Sequence, residues 1–162
     1  MCAWIRCCGG TKKDVDLFQT FYDNAGGYMI RPYDWSGGGY TFSNPTFVKS
    51  GNVTGISKTG FSGYIGTFAS SVPIDVTNLS KIKVTMVMTQ NTQAKTMVAV
   101  TPNLVDGYTQ TSFTLVEGER NNVTVIAEIN VSALTGNYYL VVSNYNGGYG
   151  FSVMCNDVKG ER

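Results

Sequence analysis

The stretch Lys81-Ile82-Lys83-Val84-Thr85-Met86-Val87-Met88-Thr89 decides the fold. Ile82, Val84, Met86 and Met88 point one way and Lys81, Lys83, Thr85 and Thr89 the other, which is the period of a strand with one buried and one solvated face. Residues 122–131 repeat the pattern, with Val123, Val125, Ala127, Ile129 and Val131 inward and Asn122, Thr124, Glu128 and Asn130 outward. In residues 138–143, Tyr138, Leu140 and Val142 share a face. Shorter strands are expected at 28–32, 40–42, 53–57, 63–68, 96–101, 109–116 and 149–155. Turn clusters separate them, among them Gly37-Gly38-Gly39, Lys49-Ser50-Gly51-Asn52, Asp106-Gly107, Glu117-Gly118 and Asn146-Gly147-Gly148. No long 3.6-residue pattern is present; the nearest are 15–22 and the single turns 76–80 and 132–134. Nine or ten short strands with turns every 8 to 12 residues or so predict an all-β chain, a two-sheet antiparallel β-sandwich of the jelly-roll type, with a barrel as the alternative. Residues 1–16 lack the alternation and read as an N-terminal arm, leaving 17–162 as the sandwich domain.

The chain has 162 residues, 43% of them apolar, and a domain of that size buries roughly two thirds of its unfolded surface without help from metals or disulfides. Only 14% of residues are charged and none is histidine. A typical domain carries about 25% charge, so Thr, Asn, Ser and Tyr must cover much of this surface. The missing imidazole removes Ser-His-Asp and Cys-His nucleophiles and the usual near-neutral general base. Twelve basic against eleven acidic residues, with no dense basic run, argue against nucleic acid as a partner. No apolar run is long enough for a membrane helix, and residues 1–10 do not read as a signal peptide, so synthesis in a cytoplasm is expected.

Cys2, Cys7 and Cys8 cluster near the start, and Cys155 falls in an expected strand. Their spacing lacks the paired C-x2-C of a thiolate zinc site, so they are read as reduced thiols that pack as small apolar groups, with no metal and no cofactor. A structural calcium ion is the one exception considered, with oxygens from Asp14 and Asp16 or from Asp23 and Asn24. Glycosidases use two carboxyl groups about 5 to 10 Å apart. Asp34 with Asp106 or Glu128 would be the pair to seek, yet nothing in the sequence selects it, and the chain is read as a non-enzyme.

Tyr33-Asp34-Trp35-Ser36-Gly37-Gly38-Gly39-Tyr40 and Asn144-Tyr145-Asn146-Gly147-Gly148-Tyr149 combine rings with adaptable polar groups. Rings supply rigid amphipathic contact area, while amides and hydroxyls adapt their hydrogen bonding. Tyr33, Asp34, Trp35, Tyr40, Tyr145 and Tyr149 are therefore the expected ligand-binding residues, suited to a sugar face stacked on a ring. The competing expectation is structural, with Gly-Tyr pairs turning hairpins and Trp35 plugging one end of the sandwich.

The phrases Ile74-Asp75-Val76-Thr77-Asn78-Leu79-Ser80-Lys81-Ile82-Lys83-Val84-Thr85 and Glu128-Ile129-Asn130-Val131-Ser132-Ala133-Leu134-Thr135-Gly136-Asn137-Tyr138-Tyr139-Leu140-Val141-Val142 resemble strand entries in β-sandwich structural proteins of tailed bacteriophages of gut bacteria, domains similar to carbohydrate-binding jelly rolls. The opening Cys2 to Gly10 resembles the start of small phage proteins of this kind. The resemblance covers about half the chain and implies a virion component, such as a tail-tip, fibre or capsid-decorating protein, with other virion proteins as partners, self-association into a homo-oligomer and contact with a cell-surface glycan. It carries over no catalytic or ligand residue. The alternative is a freestanding carbohydrate-binding module.

Overall fold

A computed structural model describes residues 13–33, 45–59, 64–147 and 150–162. They form twelve strands and one helix: β1 (Val15–Asp16), α1 (Phe18–Asn24), β2 (Ala25–Tyr28), β3 (Thr46–Ser50), β4 (Val53–Lys58), β5 (Tyr64–Ser70), β6 (Ile74–Asp75), β7 (Lys81–Gln90), β8 (Lys95–Thr101), β9 (Ser112–Glu117), β10 (Arg120–Asn130), β11 (Asn137–Gly147) and β12 (Phe151–Glu161). One sheet runs β10-β7-β12-β4-β3 with β1 added to β12; the other runs β2-β5-β11-β8-β9 with β6 added to β11. All of these pairings are antiparallel. Eight strands set the topology: β4-β12-β7-β10 face β5-β11-β8-β9, and along these eight the chain changes sheet at every step except β8 to β9. That is the winding of a jelly roll, in two separate sheets and not a closed barrel.

The alternation in β7 explains why the sheets stack. Ile82, Val84, Met86 and Met88 are buried and meet Val153, Cys155 and Val158 of β12, Val98 and Val100 of β8, and Leu140 and Val142 of β11. Each such side chain contributes about 1.5–3 kcal/mol on full burial, and the pleat delivers them together. In β10, Ala127 and Ile129 are buried, but Val123 is 40% exposed. The β10–β7 register slips just before Val123, between Arg120 and Val123; Val123 itself stays opposite the buried Met88 and keeps the core face, and it is exposed where the edge strand β10 begins beside that irregularity.

The two quoted strand entries are built alike. Asp75 accepts the Thr77 amide at 2.9 Å and Asn130 accepts the Ser132 amide at 3.0 Å, an Asx turn in each case. Leu79 N–H then returns to Val76 O at 3.0 Å and Leu134 N–H to Val131 O at 2.9 Å, turning both leucines toward the core. Thr77 Oγ1 accepts the Gly136 amide at 2.9 Å, so the two turns brace each other at one end of the sandwich.

Three boundaries differ from the sequence reading. Val15 and Asp16, assigned above to the arm, pair with Gly160 and Lys159 of β12. The helix begins at Phe18 and seats Phe21 in the core, its ring 6.2 Å from that of Phe68. Strand β3 was not anticipated: Phe47 packs against the core while Val48, Lys49 and Ser50 follow Thr46 without clear alternation. The expected strand at 40–42, together with Cys2, Cys7 and Cys8, lies outside the described residues.

Candidate contact site over the second sheet

Strand pleating sends alternate side chains of the β2-β5-β11-β8-β9 sheet away from the sandwich core, yet Ala69, Val141, Ala99 and Met97 on that outward face are fully buried. They belong to a second apolar cluster with Ile30, Tyr108 and Tyr145, flanked by Tyr28, Leu104 and Tyr139. Among the described residues its cover consists of two segments: the strap 29–33, which follows β2, and the connection 102–111 between β8 and β9.

The strap belongs to no sheet strand and has its own period of two in burial. Ile30 and Pro32 are buried; Met29 and Tyr33 are exposed, with half-buried Arg31 between them. Pro32 bridges Tyr108 in parallel fashion, a place where its missing N–H costs nothing, and the flanking bonds are Gly107 N–H to Arg31 O and Tyr33 N–H to Tyr108 O, both 2.9 Å. Gly107 has φ +74°, a left-handed conformation suited to glycine, and so lets its amide reach the strap. Asp106 completes the clasp. Its Oδ1 accepts the Arg31 amide at 3.0 Å and lies 3.3 Å from Arg31 Nε, and its Oδ2 accepts Nη2 at 3.4 Å.

Beneath the strap the polar groups are satisfied in a chain. Thr67 Oγ1 donates to Ile30 O at 2.8 Å. Having spent its only proton there, Thr67 accepts from Ser143 at 2.7 Å, and Ser143 in turn accepts from Tyr108 OH at 2.8 Å. Buried hydroxyls thus join β5, β11 and the connection to the strap backbone without leaving an orphan in this chain.

This places the expected ligand residues. Tyr33 is 76% exposed, on a backbone fixed by Tyr108 and by the neighbouring clasp. Tyr145 is placed inside and not on the surface: β11 continues through it, opposite Lys95, and its ring is buried in the second cluster. Asp34, Trp35, Tyr40 and Tyr149 lie outside the described residues. Sequence reasoning missed Arg31 and its pairing, across 75 positions, with Asp106, which it considered only as a glycosidase carboxyl. The available signal was the alternation from Met29 to Tyr33, which continues past β2 without a sheet neighbour. Around the strap, Val105, Phe113 and Leu115 are also exposed, the last two opposite Ala99 and Met97 in register. Gly27, Tyr28, Met29, Pro45 and Phe47 line a cleft of about 180 Å³ where the strap leaves β2.

The other candidate chemistry is not assembled among the described residues. Asp106 sits on the cover of the second sheet and Glu128 is paired with Lys81 and Lys83 on the outward face of the first; Asp34, the carboxyl expected to pair with one or the other, lies outside the described residues. Asp16 accepts the Phe18 amide at 2.9 Å and Asp23 accepts Gln19 Nε2 at 2.8 Å, spending on helix α1 oxygens considered for calcium. No group of three or more Cys, Asp and Glu that could hold a metal converges among the described residues. Burial pushes the Cys155 thiol up to about 12, so it packs as an apolar group and not as a nucleophile.

No family model and no curated protein matches the chain. Similar solved structures include the carbohydrate-binding module TmCBM61 in complex with β-1,4-galactotriose, at 10% identity and TM-score 0.44, covering 92% of this chain and 88% of that one. Another is a point mutant of a family 29 carbohydrate-binding module, at 14% identity and TM-score 0.42, covering 84% and 91%. A third is a glycoside hydrolase family 43 arabinoxylan arabinofuranohydrolase from Bacillus subtilis in complex with cellotetraose, at 13% identity and TM-score 0.44. That match covers 67% of this chain and only 21% of the enzyme. The jelly-roll assignment rests on the strand order given above.

Proposed function

We propose that this chain is a non-catalytic contact module that binds a glycan across the strap over its second sheet. The observation that carries the reading is the clamped strap itself: a tyrosine 76% exposed, with no core to fill, on backbone held by the Tyr108 carbonyl and adjoining the Arg31–Asp106 clasp. A ring carried on backbone already fixed before binding offers contact area at reduced entropic cost, and an apolar face with a few placed polar groups is the usual composition of a ligand site. Titration calorimetry with neutral β-1,4-linked oligosaccharides, cellotetraose and β-1,4-galactotriose first and a wider glycan panel after, tests this. Binding weakened at least tenfold by Tyr33→Ala, or about 1.4 kcal/mol, is the expected result. Binding unchanged in the variant would remove the site, and no binding across the panel would remove the function.

A setting on a virion, in an oligomer of this chain, belongs to the same proposal and is supported by the resemblances at 2–10, 74–85 and 128–142. Mass spectrometry of purified particles, with light scattering of the isolated protein, tests it: absence from particles would contradict the virion setting, and a monomer would contradict the oligomer.

A further inference from the structure

The strand registers set the outward side chains of the first sheet in rows across the strands. Ser152 stands opposite Thr89 of β7 and Ser57 of β4, and Ser57 opposite Thr46 of β3, so four hydroxyls cross four strands in one line. The next outward row is Val87, Met154, Gly55 and Val48, with Thr124 of β10 at its end. These two rows carry neither charge nor ring. Ile126, 60% exposed, faces out beside Thr85 in the row after them. Charge begins there with Asp157, opposite Thr85, and continues in the ion pairs of Lys81, Lys83 and Lys159. Thr89 Oγ1 accepts the Asn122 amide at 3.1 Å and keeps its proton, and among the described residues no hydrogen bond within the fold takes up the hydroxyls of Thr46, Ser57 and Ser152.

We infer that a second copy of this chain docks on this face, first sheet against first sheet, about a two-fold axis that runs along the strands between β12 and β4. The inference rests on the oligomer reading given above. Such an axis returns each row to itself in reverse order, so the contact is isologous. Thr89 then meets Thr46 and Ser152 meets Ser57, and a hydroxyl, which both donates and accepts, is complementary to another hydroxyl. Val87 meets Val48, and the long Met154 side chain lies over Gly55, which has no side chain to oppose it. Charge agrees as well. Asp16 of β1 stands opposite Lys159 of β12, so the same operation brings Lys159 of one copy over Asp16 of the other, at a solvated rim. Five strands about 4.8 Å apart, the longest of them roughly 33 Å long, present about 600–800 Å², close to the roughly 800 Å² per partner of a standard interface. A glycan fits this face less well, because neither neutral row offers a ring on which a sugar could stack.

Light scattering and sedimentation equilibrium on the full chain test this with the natural protein, Met154→Lys and Phe113→Lys, the last a change on the opposite sheet where the side chain is 45% exposed. A dimer is expected, with its dissociation constant raised at least tenfold by Met154→Lys, which would bury an ammonium group against the partner, and unmoved by Phe113→Lys. Peroxide oxidation of the natural protein needs no substitution and decides the matter should Met154→Lys fail to fold. Met154 should form its sulfoxide more slowly as the protein concentration rises through the dissociation range, while Met29, 55% exposed on the strap, keeps one rate. A trimer, or an oligomer whose Met154 oxidises at the same rate at every concentration, would overturn the inference and leave the oligomer reading standing. So would an oligomer that Phe113→Lys dissociates and Met154→Lys does not. A natural protein that is monomeric at every concentration would overturn both.

Discussion

The two outward faces of this sandwich begin from the same strand alternation and end differently. On the β10-β7-β12-β4-β3 sheet, the outward positions at one end of β7 are Lys81 and Lys83, answered across the ladder by Glu128 of β10 and Glu161 of β12, with Lys83 Nζ 3.0 Å from Glu161 and Lys81 Nζ 3.1 Å from Glu128. Lys159 and Asp157 add a further pair at 3.1 Å. On the other sheet the outward positions are Ala69, Val141, Ala99 and Met97, too apolar to face water, and the chain lays its own strap and connection over them. A solvated ion lattice asks nothing of the rest of the chain, whereas a covered apolar face fixes the cover. Among the described residues, the contrast puts the exposed Tyr33, on its hydrogen-bonded backbone, over the covered sheet.

The largest expected effect that would break this contrast is Tyr108→Ala. The ring is 1% exposed, its hydroxyl ends the Ser143–Thr67–Ile30 chain, and its backbone bonds Tyr33. A loss of roughly 3–5 kcal/mol in chemical denaturation is predicted, with faster amide exchange over 30–33. Unchanged exchange there would show that the strap does not depend on the second cluster. Ser143→Ala comes next, with a cost of about 1–3 kcal/mol, because Tyr108 OH loses its acceptor and Thr67 its donor while both stay buried. A stability equal to that of the natural protein would mean those hydroxyls find other partners.

On the first face the effects are small and set by pH. Glu128 is held below its ordinary 4.5, first because Lys81 donates to it. Its folded pKa lies below its unfolded one, so its contribution is complete above about pH 4.5 and is lost as pH falls through the lower folded value. Lys83 is raised above 10.5, chiefly by its bond to Glu161, so its contribution is complete below that pH and is lost as pH rises through the raised value. Stability between these limits should be flat, and Lys83→Gln at neutral pH should leave the denaturation midpoint essentially unchanged, as exposed pairs usually do. A clear drop would show the ion lattice to matter as much as the strap.

These differences also mark how much the sequence discloses. The alternation of Ile82, Val84, Met86 and Met88 is enough to require stacked sheets, because a strand so patterned must bury one face. The strand-like run 28–32 was visible too, but its neighbour is not a sheet strand: it is the Asp106–Tyr108 corner far along the chain, and no local pattern encodes that pairing. Tyr145 misled for the converse reason. Asn144-Tyr145-Asn146-Gly147 has turn chemistry, yet β11 runs on through it, and only the overlying cluster shows that the ring is covered. Tyr33 was read as a contact residue because it opens a polar, aromatic run, and the structure presents it outward for a different reason: Ile30 and Pro32 hold the inward positions.

The claim at the centre of this account is that the covered sheet, and not the charged one, meets a glycan. Titrating 15N-labelled protein with cellotetraose, β-1,4-galactotriose and the glycan panel, and following amide shifts residue by residue, tests it most directly. Shifts concentrated at 29–33 and 105–108 and abolished by Tyr33→Ala are predicted. Shifts confined to Lys81, Lys83, Glu128 and their neighbours, or no shifts with any sugar, would contradict it.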